Sequence, residues 1–258
     1  MRNRLDRSQE PGSQLDLIPT SQRGTIVQAP SARADVPHCL FGPERYEPRY
    51  EYPLVVWLHS CHSNERELED VMPLLSMQNY VACAPRGTNA SEISARHFLW
   101  SQSRAAATVA EESVFASIAA AQNSFSIARQ RVFLAGFGSG GTMAWRIALR
   151  YPQMFAGVAS ICGQFPKNHQ PLNNLAAARE LPILWMYGQD SPKCGVEHIC
   201  ETLPLLHAAR MGATIRQYPV GDDLLTNMLS DLNHWLMEQV TNQPTRTENF
   251  AEESFSRN

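Results

Sequence analysis

Three short segments of the sequence hold residues able to do chemistry on a carbonyl group. The first is Gly136-Phe137-Gly138-Ser139-Gly140-Gly141, where an apolar run meets a helix-period segment through a glycine-rich turn. A tight turn between a strand and a helix can present one side chain at its apex, and small residues on either side let the two backbones approach. Ser139 is the hydroxyl nearest that apex and the candidate nucleophile. Asp190 and His62 are the candidate acid and base, and the thiol of Cys61 lies one residue from His62. Each has an ordinary alternative. Ser139 would open the following helix and cap it, Asp190 would be a solvated loop carboxylate, and Cys61 has only His62 near it in sequence to activate it.

These segments need a frame. Apolar runs alternate with helix-period segments through the middle of the chain, as in a parallel sheet wrapped by helices. Strands are expected at Leu54–His59, Tyr80–Ala84, Arg131–Gly136, Phe155–Cys162, Ile183–Tyr187 and Thr214–Tyr218. Continuous runs such as LVVWLH imply burial on both faces, as central parallel strands require. Val114, Phe115, Ile118 and Ala119 share one helix face; Met143, Ala144, Ile147 and Ala148 share another, stopped by Pro152. A helix from about Val196 to Arg210 carries Pro204 and is expected to kink. The last helix aligns Leu225, Met228, Leu229, Leu232, Trp235 and Leu236. In such sheets the working site lies beyond the carboxyl ends of the strands.

With 258 residues the chain suits one domain, and a formal charge of -3 offers no electrostatic footprint for nucleic acid. No apolar run approaches the roughly 20 residues that span a bilayer. The N-terminal residues are charged and polar where a secretion signal would be apolar, so a cytoplasmic location is expected. Residues 1–24 and 242–258 lack periodicity and are expected to be flexible segments flanking a domain at 25–241. The six cysteines form no C-x-x-C pair, so neither a metal site nor a disulfide framework is expected. Cys83 and Cys162 sit in apolar runs as buried thiols.

VFLAGFGSGGTMAWRIALRYPQMFAGVASICG resembles the phospholipase/carboxylesterase group of α/β hydrolases, whose nucleophile turn reads G-F-S-x-G-G. The resemblance extends from about Phe41 to Val240 through PLVVWLHSCHSNERELEDVMP, YVACAPRGT, LPILWMYGQDSP, YPVGDD and LSDLNHWLMEQV. It implies an α/β-hydrolase fold, a largely parallel central sheet flanked by helices on both faces. Laid over the group's motif without a gap, the nucleophile position is Gly138. The acid position, G-x-x-D-P in the group, is Ser191; the base position, Y-P-x-G-H, is Asp222. The group's H-G-x-G oxyanion segment corresponds to His59-Ser60-Cys61-His62, so Ser60 and Cys61 join Ser139 in the oxyanion and cleft region. His234 lies on the final helix, beyond the loop where the group keeps its base.

The expectation is therefore a non-catalytic binding or regulatory protein without cofactor or metal. By the resemblance it keeps an acyl- or ester-shaped cleft lined by Phe98, Trp100 and Phe165, whose alternative is ordinary core packing. A weaker expectation is an acidic cluster of Asp190, Asp222 and Asp223 that favours cations, set against a solvated acidic rim. The competing function is a carboxylic-ester hydrolase with an unorthodox centre that uses Ser139.

Overall fold

The computed structural model describes residues 26–27 and 36–242, and the expected flexible segments lie outside these apart from Asn242. Strands β1 (Ile26–Val27) and β2 (His38–Phe41) come first, then β3 (Tyr52–Leu58), whose seven residues are all buried. Helix α1 (Glu67–Leu75) leads to β4 (Val81–Pro85) and a small pair, β5 (Asn89–Ala90) with β6 (Phe98–Leu99). Next come α2 (Arg104–Ser124), β7 (Ile127–Phe137), α3 (Ser139–Arg150), a 3-10 turn at Pro152–Met154 and β8 (Gly157–Ile161). The chain then forms α4 (Leu175–Ala178), β9 (Ile183–Gly188), α5 (Val196–Ala209), β10 (Thr214–Tyr218) and α6 (Thr226–Asn242).

The main sheet runs β1-β2-β4-β3-β7-β8-β9-β10. From β4 to β10 every neighbouring pair is parallel; β2 joins β4 antiparallel, and β1 joins β2 likewise. Alternate side chains leave the sheet on opposite faces. On one face Leu54, Val56, Leu134, Val158 and Trp185 pack with residues of α2, α3 and α5. On the other, Val55, Trp57, Phe133, Ala135 and Leu184 pack with α1 and α6. Each fully buried side chain of this size contributes roughly 1.5–3 kcal/mol.

All six expected strands form, with ends shifted by up to four residues; Phe155 and Ala156 precede β8, and β7 begins at Ile127. Helix α1 was not evident in the sequence because Pro73 reads as a stop, yet the helix continues two residues past it. Helix α5 runs on through Pro204. No helix among the described residues is long and apolar enough to cross a membrane.

Candidate active-site region

Between β7 and α3 a single residue, Gly138, makes the turn, at φ 57° and ψ −119°. Its N–H donates to the Ile161 carbonyl at 2.8 Å, and its own carbonyl accepts from the Thr142 N–H at 3.1 Å. A Cβ on Gly136 would lie 2.6 Å from the Gly140 carbonyl carbon, and one on Gly140 would lie 2.2 Å from the Leu58 carbonyl oxygen. Both contacts are impossible, so these two positions must be glycine. They flank Gly138 symmetrically, two residues before and two after it. A Cβ on Gly138 itself would meet nothing within 4 Å. Ser139 is the first residue of α3, and its Oγ is enclosed without a hydrogen-bond partner among the described residues. The expected capping bond is therefore not made: Gly138, which has no side chain, holds the cap position.

Ser191 follows β9 and Asp222 follows β10, and the structure brings them together. Ser191 Oγ donates to Asp222 Oδ1 and accepts from the Cys194 N–H at 2.8 Å. The two loops interlock through Gln189 N–H to the Tyr218 carbonyl (2.8 Å) and Asp190 N–H to the Val220 carbonyl (2.9 Å). A Cβ on Gly188 would sit 2.1 Å from the Gly221 carbonyl oxygen, which holds that approach to a glycine. Asp190 and Asp223 are exposed. Asp222, also exposed, is bound to Ser191, and among the described residues no group of three His, Cys, Asp or Glu side chains is arranged to hold a metal ion. Burial, with the field of Asp222 and Asp223 adding to it, pushes the Cys162 thiol up to about 11. Burial first, then Cys162, pushes Cys194 up to about 12, so both stay protonated at neutral pH.

The loop after β3 is pinned from within. His59 is fully buried; its Nδ1 faces the Ser60 carbonyl at 2.7 Å and its Nε2 accepts from the Gly87 N–H at 2.9 Å. That pair of partners fits a neutral ring protonated on Nδ1, and burial holds its pKa below the ordinary histidine value. Glu67, at the start of α1, accepts from the Ser60 N–H (3.0 and 3.1 Å), the Ser60 hydroxyl (2.6 Å) and Trp57 Nε1 (2.9 Å). The Ser60 N–H is thus committed to an internal carboxylate and is not available to a substrate oxygen. Cys61 is exposed. His62, at φ 60°, places Nδ1 2.7 Å from Ser91 Oγ, so its bond goes neither to Cys61 nor to Ser139. His234 is exposed on α6.

The expected aromatic cleft takes a different form. Trp100 and Phe165 are each 2% exposed; Trp100 donates to the His59 carbonyl at 3.0 Å, and Phe165 meets Trp145 edge-on at 5.3 Å. Phe98 lies 4.7 Å beneath the Arg86 guanidinium. Trp100 is a core residue, whereas Phe165, though buried, borders the cavities of about 430 and 250 Å³. Three cavities, of about 540, 430 and 250 Å³, lie along the α2, α3 and α5 side, and none is lined by Gly138, Ser139, Ser191 or Asp222. Glu67 and Ser91 went unnoticed in the sequence; only Glu67, an acid opening an amphipathic segment, left a signal there.

Residues 88–239 match the family model for phospholipase/carboxylesterase. The chain belongs to the phospholipase/carboxylesterase family. It is similar to acyl-protein thioesterase 1 of Cryptococcus neoformans, with 25% identity over 132 residues, 44% of this chain and 54% of that protein. The matched segments span between 17% and 54% of the length of the curated relatives. Among solved structures, SOBER1 of Arabidopsis thaliana superposes with a TM-score of 0.59 at 19% identity, covering 73% of this chain and 99% of that one. The Bacillus cereus carboxylesterase superposes with a TM-score of 0.64 at 15% identity, covering 81% and 97%. The family rests on that model match, and the solved structures show the α/β-hydrolase fold.

Proposed function

We propose that the chain is a non-catalytic member of the phospholipase/carboxylesterase family, a binding or regulatory protein on a hydrolase scaffold. In this reading Gly138, Ser191 and Asp222 stand where the family keeps nucleophile, acid and base. The observation that carries it is the turn itself. Its positive φ and the two obligatory glycines centre it on Gly138, so the apex has no hydroxyl. Moving the nucleophile to Ser139 would put Phe137 at a position where this turn admits no side chain. The Ser139 hydroxyl is enclosed and meets no imidazole.

Loss of a nucleophilic serine or histidine costs about a millionfold in rate, or roughly 8 kcal/mol of barrier. A Ser–Asp pair offers only a carboxylate, a much weaker base than the imidazole it replaces. The open space over Gly138 supports a ligand of acyl or ester shape at the apex. The unpaired cysteines fit a cytoplasmic location, and the proposal calls on no cofactor.

Turnover of p-nitrophenyl and thioester substrates tests the proposal. The native chain is expected to show none above background. The variant carrying Gly138→Ser, Ser191→Asp and Asp222→His together is expected to gain hydrolysis, because the loops that carry these positions are already docked. Native turnover abolished by Ser139→Ala would support instead the hydrolase that uses Ser139.

A further inference from the structure

The approximately 540 Å³ cavity lies between α2, the C-terminal half of α3 and the segment 169–174, away from Gly138. Its charge is unbalanced. Arg104, Arg146, Arg150 and His169 line it, with Glu111 as the lining carboxylate. Glu111 is buried and already engaged on both oxygens, by Arg150 Nη1 at 2.9 Å and the Tyr151 hydroxyl at 3.0 Å. Arg146 is only 7% exposed. Its Nε donates to Gln102 at 3.2 Å and its Nη1 to the Asn168 carbonyl at 2.8 Å, both neutral acceptors. Nη2 has no partner among the described residues, and no described carboxylate pairs with Arg146 within salt-bridge distance.

The carboxylate nearest in effect, Glu111, acts on Arg146 only through its field and is itself engaged by Arg150 and Tyr151, so this buried guanidinium is under-compensated; natural proteins neutralise such groups with a paired or bound anion. Arg146 also lines the adjoining cavity of about 250 Å³, where Lys167 is already paired with Glu201 at 3.2 Å. The N-terminus of α2, a 21-residue helix capped by Ser103, opens at Arg104 on the same cavity, and its dipole acts in the same sense. Over it, His169 and Gln170 hold φ of 64° and 51°, a conformation that non-glycine residues adopt at a cost and that clusters at ligand sites. Asn173 and Asn174 add amide groups suited to a polar ligand.

We propose that this cavity binds a small organic oxyanion, with the Arg146 guanidinium as the buried counter-charge and Arg104 as the cation at its mouth. The shared chemistry is a carboxylate or a phosphate group, which a guanidinium fork engages through paired hydrogen bonds. The volume admits a ligand of metabolite size. The site is independent of whether the turn at Gly138 is silent, because none of its residues belongs to that turn.

Isothermal titration of the full chain with inorganic phosphate and, separately, with succinate tests the proposal, at ionic strength held constant with sodium chloride. Saturable binding in the millimolar range or tighter is expected, weakened by about tenfold or more in Arg146→Met. Arg104 is exposed, so Arg104→Ala leaves folding intact and is expected to weaken binding severalfold even if Arg146→Met does not fold. Phosphate binding alone assigns a phosphorylated ligand, and succinate binding alone a carboxylate. Absence of saturable binding by both anions, or binding that Arg104→Ala and Arg146→Met leave unchanged, overturns the proposal.

Discussion

Gly138 holds a backbone conformation that costs an L-residue on the order of 1–3 kcal/mol. Space for a side chain is present, so Gly138→Ser should carry that cost without a clash. Urea unfolding is expected to show a loss of about 1–2 kcal/mol, with no gain of esterase activity while Ser191 and Asp222 remain. Unchanged stability would mean that the turn relaxes to a different φ. His59 gives a second test at this scale. Burial lowers its folded pKa below the ordinary value near 6.5. The unfolded chain therefore binds the proton first, and the associated stability is present above the unfolded pKa and lost as pH falls through the folded one. Unfolding midpoints at pH 7.5 and 5.5, roughly one pH unit either side of that value, are expected to fall further on acidification in the native chain than in His59→Gln. Equal falls would show that His59 takes up no proton on unfolding. The proposed assignment of positions 138, 191 and 222 is made from the sequence because each sits in a short motif of fixed spacing. The Ser191–Asp222 bond is not legible, because it joins side chains 31 residues apart.

At the scale of elements, α1 does more than cover the sheet. Its first residue, Glu67, ties the loop after β3 through three donor groups, two on Ser60 and one on Trp57. Hydrogen bonds to a charged partner are each worth about 1.5–3 kcal/mol, and replacing Glu67 leaves donors unpaired. Glu67→Ala is expected to cost about 2–3 kcal/mol and to speed amide exchange at Ser60 and its neighbours. Loss of stability with unchanged exchange in that loop would contradict the role assigned to Glu67. This element shows where the sequence falls short. Strands β3, β7 and β9 announce themselves through unbroken apolar runs, whereas a proline inside α1 hides a helix. The pairs β1–β2 and β5–β6 are too short to show a period. Trp100 misleads for a related reason: composition says that an aromatic is buried but not whether a core or a cleft buries it.

For the molecule as a whole, two apolar layers hold the sheet, and α6 closes one of them. Trp235 is 2% exposed, meets Phe133 edge-on at 6.3 Å and covers Gly157, where an added Cβ would lie 2.7 Å from its ring. Trp235→Ala opens a void against the central strands and is expected to cost about 3–5 kcal/mol in urea unfolding. A cost near zero would mean that α6 is not part of the cooperative core. The parallel architecture and its two-sided burial are legible in the sequence because alternating runs and helix stripes encode them directly. The cavity at Arg146 is not, because a buried arginine and a surface arginine look alike until the segment 169–174 folds over it.

The proposal that the turn at Gly138 is silent makes one direct demand on the native protein. Intact-mass spectrometry after incubation with a fluorophosphonate is expected to show the unmodified mass, since the apex carries no hydroxyl and the enclosed Ser139 no base. A single stoichiometric adduct that maps to Ser139 and disappears in Ser139→Ala would contradict the account and identify an active hydrolase.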